Sequence, residues 1–133
     1  MTEAEDRAIP NPKSVSKNTV WGASFAGLAV VLGAMGAHAL KPDLLERNSL
    51  TTWQTAVDYQ MWHALALILS GLSSSACVRR AGRCFIPGII LFSGSLYWLS
   101  FDGPRWLGPI TPLGGLCLIA GWIFLAIGYW RSK

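Results

Sequence analysis

The stretch NTVWGASFAGLAVVLGAMGAHAL, Asn18–Leu40, runs for 23 residues without a charged side chain. As a helix rising about 1.5 Å per residue, it covers the roughly 30 Å hydrocarbon core of a bilayer. Three more such blocks follow, Tyr59–Val78, Cys84–Phe101 and Trp106–Trp130, of 20, 18 and 25 residues. Every Asp, Glu, Lys and Arg of the 133 residues falls outside them, in 1–17, 41–58, 79–83, 102–105 and 131–133. The chain is 52% hydrophobic and only 14% charged, against about 25% charged in a typical soluble domain. This pattern excludes a soluble globular protein. It also excludes a nucleic-acid binding module, because the net charge of +4 is not gathered on one surface.

Backbone in lipid must satisfy its own hydrogen bonds, so each block is a helix or part of a closed barrel. Barrel strands are about ten residues of alternating polarity, and Leu65-Ala-Leu-Ile-Leu69 does not alternate. The fold expected is an all-α membrane protein, a four-transmembrane-helix bundle, with spans at about 19–40, 57–78, 84–101 and 109–130. Residues 1–18, with Pro10, Pro12 and a mixture of charges, read as a disordered polar tail ahead of a single 19–131 domain. Arg7, Lys13, Lys17, Arg79, Arg80, Arg83, Arg131 and Lys133 share one side of such a bundle, against Lys41, Arg47 and Arg105 on the other. The positive-inside rule then places both termini in the cytoplasm. Ala37-His38-Ala39 has the form of a signal-peptide cleavage site, but the apolar run before it exceeds the usual 7–15 residues, so an uncleaved span is expected.

Between the first two spans, Pro42 stops the first helix. Asn48 or Ser49 caps a new one that continues through Leu50, Trp53 and Val57 into the second span. Trp53, Tyr59 and Trp62 fit an aromatic belt at the outer interface, with Trp21 and Trp130 doing the same at the inner one.

Helices in lipid gain little from apolar burial and associate through small residues. Gly22, Ala26, Ala29, Gly33, Gly36 and Leu40 make one nearly bare face of the first span, and Gly114, Gly121 and Gly128 recur every seven residues in the fourth. In the second span Ala56, Gln60, His63, Leu67, Ser70, Ser74 and Cys77 step by three and four, giving a small, polar face that should turn into the bundle. Asp58 lies roughly 140° from His63 around the helix, which points it to a surface role beside Arg105 or Lys41.

The larger polar side chains gather in the outer half: His38, Tyr59, Gln60, His63, Ser93, Ser95, Tyr97 and Thr111 form the candidate site. Intramembrane ionisable groups are functional candidates, so His38 and His63 are candidates for a shared proton or metal site. The competing reading is structural. His38 would cap the carbonyls ending the first span, and His63 would donate to a serine, Tyr97 or a carbonyl of a neighbouring helix. A metal normally takes three or four ligands, and none beyond the two histidines is visible, so no metal or cofactor is expected. The three cysteines, Cys77, Cys84 and Cys117, make no C-x-x-C pair. Thr111-Pro112-Leu-Gly-Gly115 resembles a transporter-type helix break, although Pro109 and Pro112 also suit a plain helix start. There is no triad, phosphate loop or carboxylate pair, so no enzyme is expected.

Five motifs appear in order: Gly33-Ala-Met-Gly-Ala-His38, Tyr59-Gln-Met-Trp-His63-Ala, Leu91-Phe-Ser-Gly-Ser-Leu-Tyr97, Thr111-Pro-Leu-Gly-Gly115 and Ala120-Gly-Trp122. Together they resemble the small four-span membrane proteins classed as domain of unknown function 423, which include bacterial inner-membrane members and the eukaryotic transmembrane protein 256. The resemblance covers about Val20–Trp130. It departs at Met35, where the family often has Phe, and in the longer polar N-terminal tail. It implies the four-span fold and a bacterial plasma-membrane location, and it implies no activity. Two functions remain open at this point. One is a structural or accessory protein that binds other membrane proteins, itself or lipids. The other is a small transporter or channel with a polar ligand or proton site in the outer half. The absence of charge within any block weighs against the second.

Overall fold

In the computed structural model, which describes residues 16–131, every regular element is helical. The elements are α1 (Lys17–Ala37), α2 (Lys41–Glu46), α3 (Leu50–Leu72), α4 (Ala76–Arg80), α5 (Gly82–Leu99), a 3-10 turn (Arg105–Leu107) and α6 (Ile110–Trp130). Residues 1–15 of the expected tail lie outside the described residues. Its last two residues are not tail: Lys17 and Asn18 already belong to α1. Three segments are long and apolar enough to cross a membrane: Lys17–Ala37, Ala76–Leu99 and Arg105–Trp130. The 23 residues of α3 include Gln54, Asp58, Gln60 and His63, which dilute its apolar content.

Two boundaries differ from the sequence reading for identifiable reasons. The first helix ends at Ala37 rather than Leu40. The His38 N–H reaches the Ala34 carbonyl and the Leu40 N–H reaches back to Met35 at 2.8 Å, closing the helix end in a turn. Pro42 therefore opens α2 instead of stopping α1, as suits its missing N–H. The second helix stops at Leu72 rather than Val78. Ser73, Ser74 and Ser75 follow, and the Ser75 N–H bonds the Ser73 hydroxyl at 3.2 Å. Serine hydroxyls compete with the helix ladder in this way. Asn48 takes a left-handed backbone, φ 52°, a conformation asparagine tolerates better than most residues. Ser49 then occupies the position before α3, as expected. Its hydroxyl does not cap that helix; it donates to the Ser100 carbonyl at 2.7 Å.

The Ser49–Ser100 bond and the Arg47–Asp102 ion pair tie the α1–α3 connection to the α5–α6 connection at one end of the molecule. At the other end Asn18 donates to the Arg79 carbonyl at 2.9 Å and to the Ser70 hydroxyl at 3.0 Å. There too, α6 closes on α4 through Gly128, whose missing Cβ leaves room for Val78. The long helices thus alternate in direction. Helix α1 lies mainly against α3, α3 against α5, and α5 against α6. The apolar core sits among α3, α4, α5 and α6: Leu67, Val78, Phe85, Ile89, Leu118 and Leu125 are buried there.

The bare faces read from the sequence are the contact faces. Gly22, Ala29 and Gly36 are the buried residues of α1, and Gly114, Leu118, Gly121, Leu125 and Gly128 those of α6. In α3 the buried set includes Ala56, Gln60, His63, Leu67 and Ser70. The expected stripe does not continue to Ser74 and Cys77, because the helix has already ended.

Candidate functional site

Gln60 is the centre of the polar interior, 2% exposed. Its side-chain amide donates to the Phe25 carbonyl of α1 at 2.8 Å, and its oxygen accepts the Tyr97 hydroxyl of α5 at 2.9 Å. One side chain therefore joins three helices. One heptad away on the same face of α3, the Trp53 indole N–H donates to the Leu32 carbonyl at 3.0 Å. Phe25 and Leu32 are also seven residues apart, so α3 runs along α1 in register, with two donors on two matched carbonyls.

Trp53 is 5% exposed, and its ring lies over Gly36 and against Tyr97 and Phe101. It is not part of an interfacial belt, as its type and position suggested. The groove left by Gly33 and Gly36 draws it inward, and the indole N–H finds an acceptor there. Trp62, Trp21 and Trp130 are exposed.

His63 is buried on α3 among aromatic rings. Tyr59 stacks on it at 5.7 Å between centroids, and Phe85 and Trp122 stand at 5.8 and 6.0 Å. Its Nδ1 donates to the Tyr59 carbonyl at 2.6 Å, a bond within its own helix rather than across to a neighbour. His38 is exposed in the turn after α1. Among the described residues the two histidines share no hydrogen-bond or ring partner.

Of the remaining candidates, Ser95 and Thr111 pair through their hydroxyls at 2.7 Å and link α5 to α6. Thr111 lies in the first turn of α6, which starts at Ile110 just after Pro109, so the proline-rich stretch begins a helix rather than breaking one. Ser93 is 1% exposed, and its hydroxyl has no hydrogen-bond partner. An unpaired buried hydroxyl costs about 1–3 kcal/mol. Ser93→Ala should therefore leave stability unchanged or raise it by about 1 kcal/mol, measured by reversible unfolding in mixed micelles.

Asp58 is exposed, as expected, but pairs with neither Arg105 nor Lys41; the ion pair among the described residues is Arg47–Asp102. Asp58 instead borders a cavity of about 350 Å³ between α1 and α3, with Gly33, Gly36, Trp53, Gln54 and Val57. The sequence reading also missed Asn18, which it left in the tail although the residue ties α1 to both α3 and α4. The signal was available in part. Gly71 and Gly82 are small where Thr19 and Asn18 approach, but nothing in one sequence says which helix a glycine faces.

Comparison with known proteins adds a family context. The model of the family described as "Protein of unknown function (DUF423)" matches residues 32–115. A UPF0382 membrane protein of Staphylococcus haemolyticus is 43% identical over 115 residues, covering 84% of this chain and 93% of its own length. UPF0382 membrane protein YwdK of Bacillus subtilis is 44% identical, covering 81% and 91%. A UPF0382 membrane protein of Haemophilus influenzae is 41% identical, covering 78% and 86%. No solved structure matches the chain.

Proposed function

The chain belongs to the DUF423 family, and from that premise we propose that it is a four-span protein of the bacterial plasma membrane that performs no chemistry of its own. In this reading both termini are cytoplasmic, and the protein is a structural or accessory component. It binds other membrane proteins, copies of itself or lipids through its helix faces.

The observation that carries this reading is how the polar interior is used. Gln60, Tyr97, Trp53, Ser95 and Thr111 bond to one another or to main-chain carbonyls. Their polar atoms hold helices together rather than waiting for a reactant. Outside, Val30, Val31, Leu116, Ile119 and Ile123 are more than half exposed on α1 and α6, a surface suited to lipid or a partner helix. Two facts support α3 as the fourth span. At 23 residues it measures about 35 Å, and Gln60 and His63 are turned away from the surface. The excess of Lys and Arg at the end holding the start of α1, Arg79–Arg83 and the end of α6 supports the cytoplasmic placement.

Affinity purification in mild detergent tests the accessory role. Stable co-purifying membrane proteins or self-association are the expected result. Solute flux from proteoliposomes containing this protein alone would contradict it. The cavity bordered by Asp58 supports a second reading, a small transporter with its ligand site in the outer half. The same flux measurement decides for or against that alternative.

A further inference from the structure

The junction of α4 and α5 holds a cavity of about 250 Å³ lined by Ala76, Arg79, Arg80 and Arg83. Three arginines border one small space. Arg79 is held in place, with one nitrogen donating to the Ser74 carbonyl and, at 3.4 Å, to that of Ser73. A guanidinium has five N–H donors in a rigid fork, so most of those on Arg79 are still available after this anchoring. The carboxylates among the described residues, Asp43, Glu46, Asp58 and Asp102, belong to the opposite end of the molecule or the half next to it. No acidic group among the described residues is placed to neutralise the cluster.

We infer that Arg79, Arg80 and Arg83 bind the phosphate group of an anionic phospholipid. Arginine forks match phosphate oxygens in paired, charge-assisted hydrogen bonds. Basic pockets at the ends of membrane helices are suited to lipid headgroups. Apolar surface beside the cluster favours a lipid over a free anion. Leu72, next to the Ser73 carbonyl that holds Arg79, is 71% exposed, and Trp130 of α6, which packs on α4, is 79% exposed. At the same end of the molecule a groove of about 510 Å³ is lined by Ala126, Ile127, Trp130 and Arg131. This inference rests on the reading of the protein as membrane-embedded and names one of its lipid partners.

The test uses the full chain in nanodiscs of phosphatidylcholine in which a fifth of the lipid is phosphatidylglycerol, with bound lipid counted by native mass spectrometry on release. Phosphatidylglycerol should be retained in preference to phosphatidylcholine. That preference should fall about fivefold for each arginine replaced by glutamine and vanish in the R79Q/R80Q/R83Q variant. R105Q, at the other end, should keep it. Circular dichroism and thermal stability confirm that each variant is folded. Retention of phosphatidylglycerol by the folded triple variant would overturn the inference. So would inorganic phosphate displacing the lipid and binding equally well in pure phosphatidylcholine, which would make the site one for free anions. No preference for phosphatidylglycerol in the unsubstituted chain, with co-purifying proteins intact, would sink this inference alone and leave the accessory role standing.

Discussion

Gly114→Leu is expected to force α5 and α6 apart and to leave little folded protein in mild detergent. A Cβ at Gly114 would lie 2.8 Å from the Phe92 Cα and 2.9 Å from the Leu91 carbonyl carbon. These are backbone atoms of α5, so no side chain can swing aside to make room. Overpacking in a close-packed interior usually costs about 1–3 kcal/mol. With backbone against backbone the cost should reach the top of that range or pass it. Gly22→Leu should behave alike, because its Cβ would meet the Ala64 carbonyl oxygen at 2.8 Å and the Ile68 nitrogen at 2.9 Å in α3. The controls lie in α5 and α1. Gly94 and Gly27 have open space where a Cβ would stand, so Gly94→Leu and Gly27→Leu should be tolerated. Unfolding in mixed micelles and size-exclusion profiles read all four. Equal losses at Gly94 and Gly114 would mean that the α5–α6 contact is not the one described.

Gln60→Leu is expected to cost about 2–3 kcal/mol, combining two lost interhelical bonds with a Tyr97 hydroxyl left in the interior without its partner. Interhelical bonds in membranes average about 0.6 kcal/mol each, and an orphaned buried hydroxyl adds about 1–3 kcal/mol. The diagnostic measurement is a double-mutant cycle. Tyr97→Phe alone should cost about 1 kcal/mol. The Gln60→Leu/Tyr97→Phe pair should cost less than the two single changes combined by about 1 kcal/mol, because no hydroxyl is then stranded. Strict additivity would show that Gln60 and Tyr97 do not meet.

These two predictions divide along the line between what one sequence carries and what it does not. Helical phase is a property of local order, so the bare faces of α1 and α6 and the inward face of α3 were readable from spacing alone. Gln60 and His63 are buried as that phase requires. The partners across helices depend on which faces meet and at what offset, and spacing says nothing about either. Hence Gln60 could be placed inside, but not on Phe25 and Tyr97. His63 was expected to reach a neighbouring helix and bonds its own. Trp53 shows how an average preference misleads: tryptophan favours interfaces, yet this one fills the groove over Gly36. The end of α3 was hidden for a different reason. Uncharged serines extend an apolar block in a charge count, while their hydroxyls interrupt the helix. Asn18 borders a charged, proline-rich segment and so reads as tail, although its side chain bonds residues more than fifty positions away.

The central claim is that α3 crosses the membrane with its polar face turned into the protein, making four spans. Cysteine labelling from outside intact cells tests it most directly. In a chain with Cys77, Cys84 and Cys117 replaced, single cysteines are introduced as Glu46→Cys, Ser74→Cys and Trp106→Cys, all at exposed positions. A membrane-impermeant maleimide should label Glu46→Cys and Trp106→Cys in intact cells, and Ser74→Cys only after lysis. Labelling of Glu46→Cys and Ser74→Cys from the same side would contradict the account, because α3 would then lie along the membrane instead of through it.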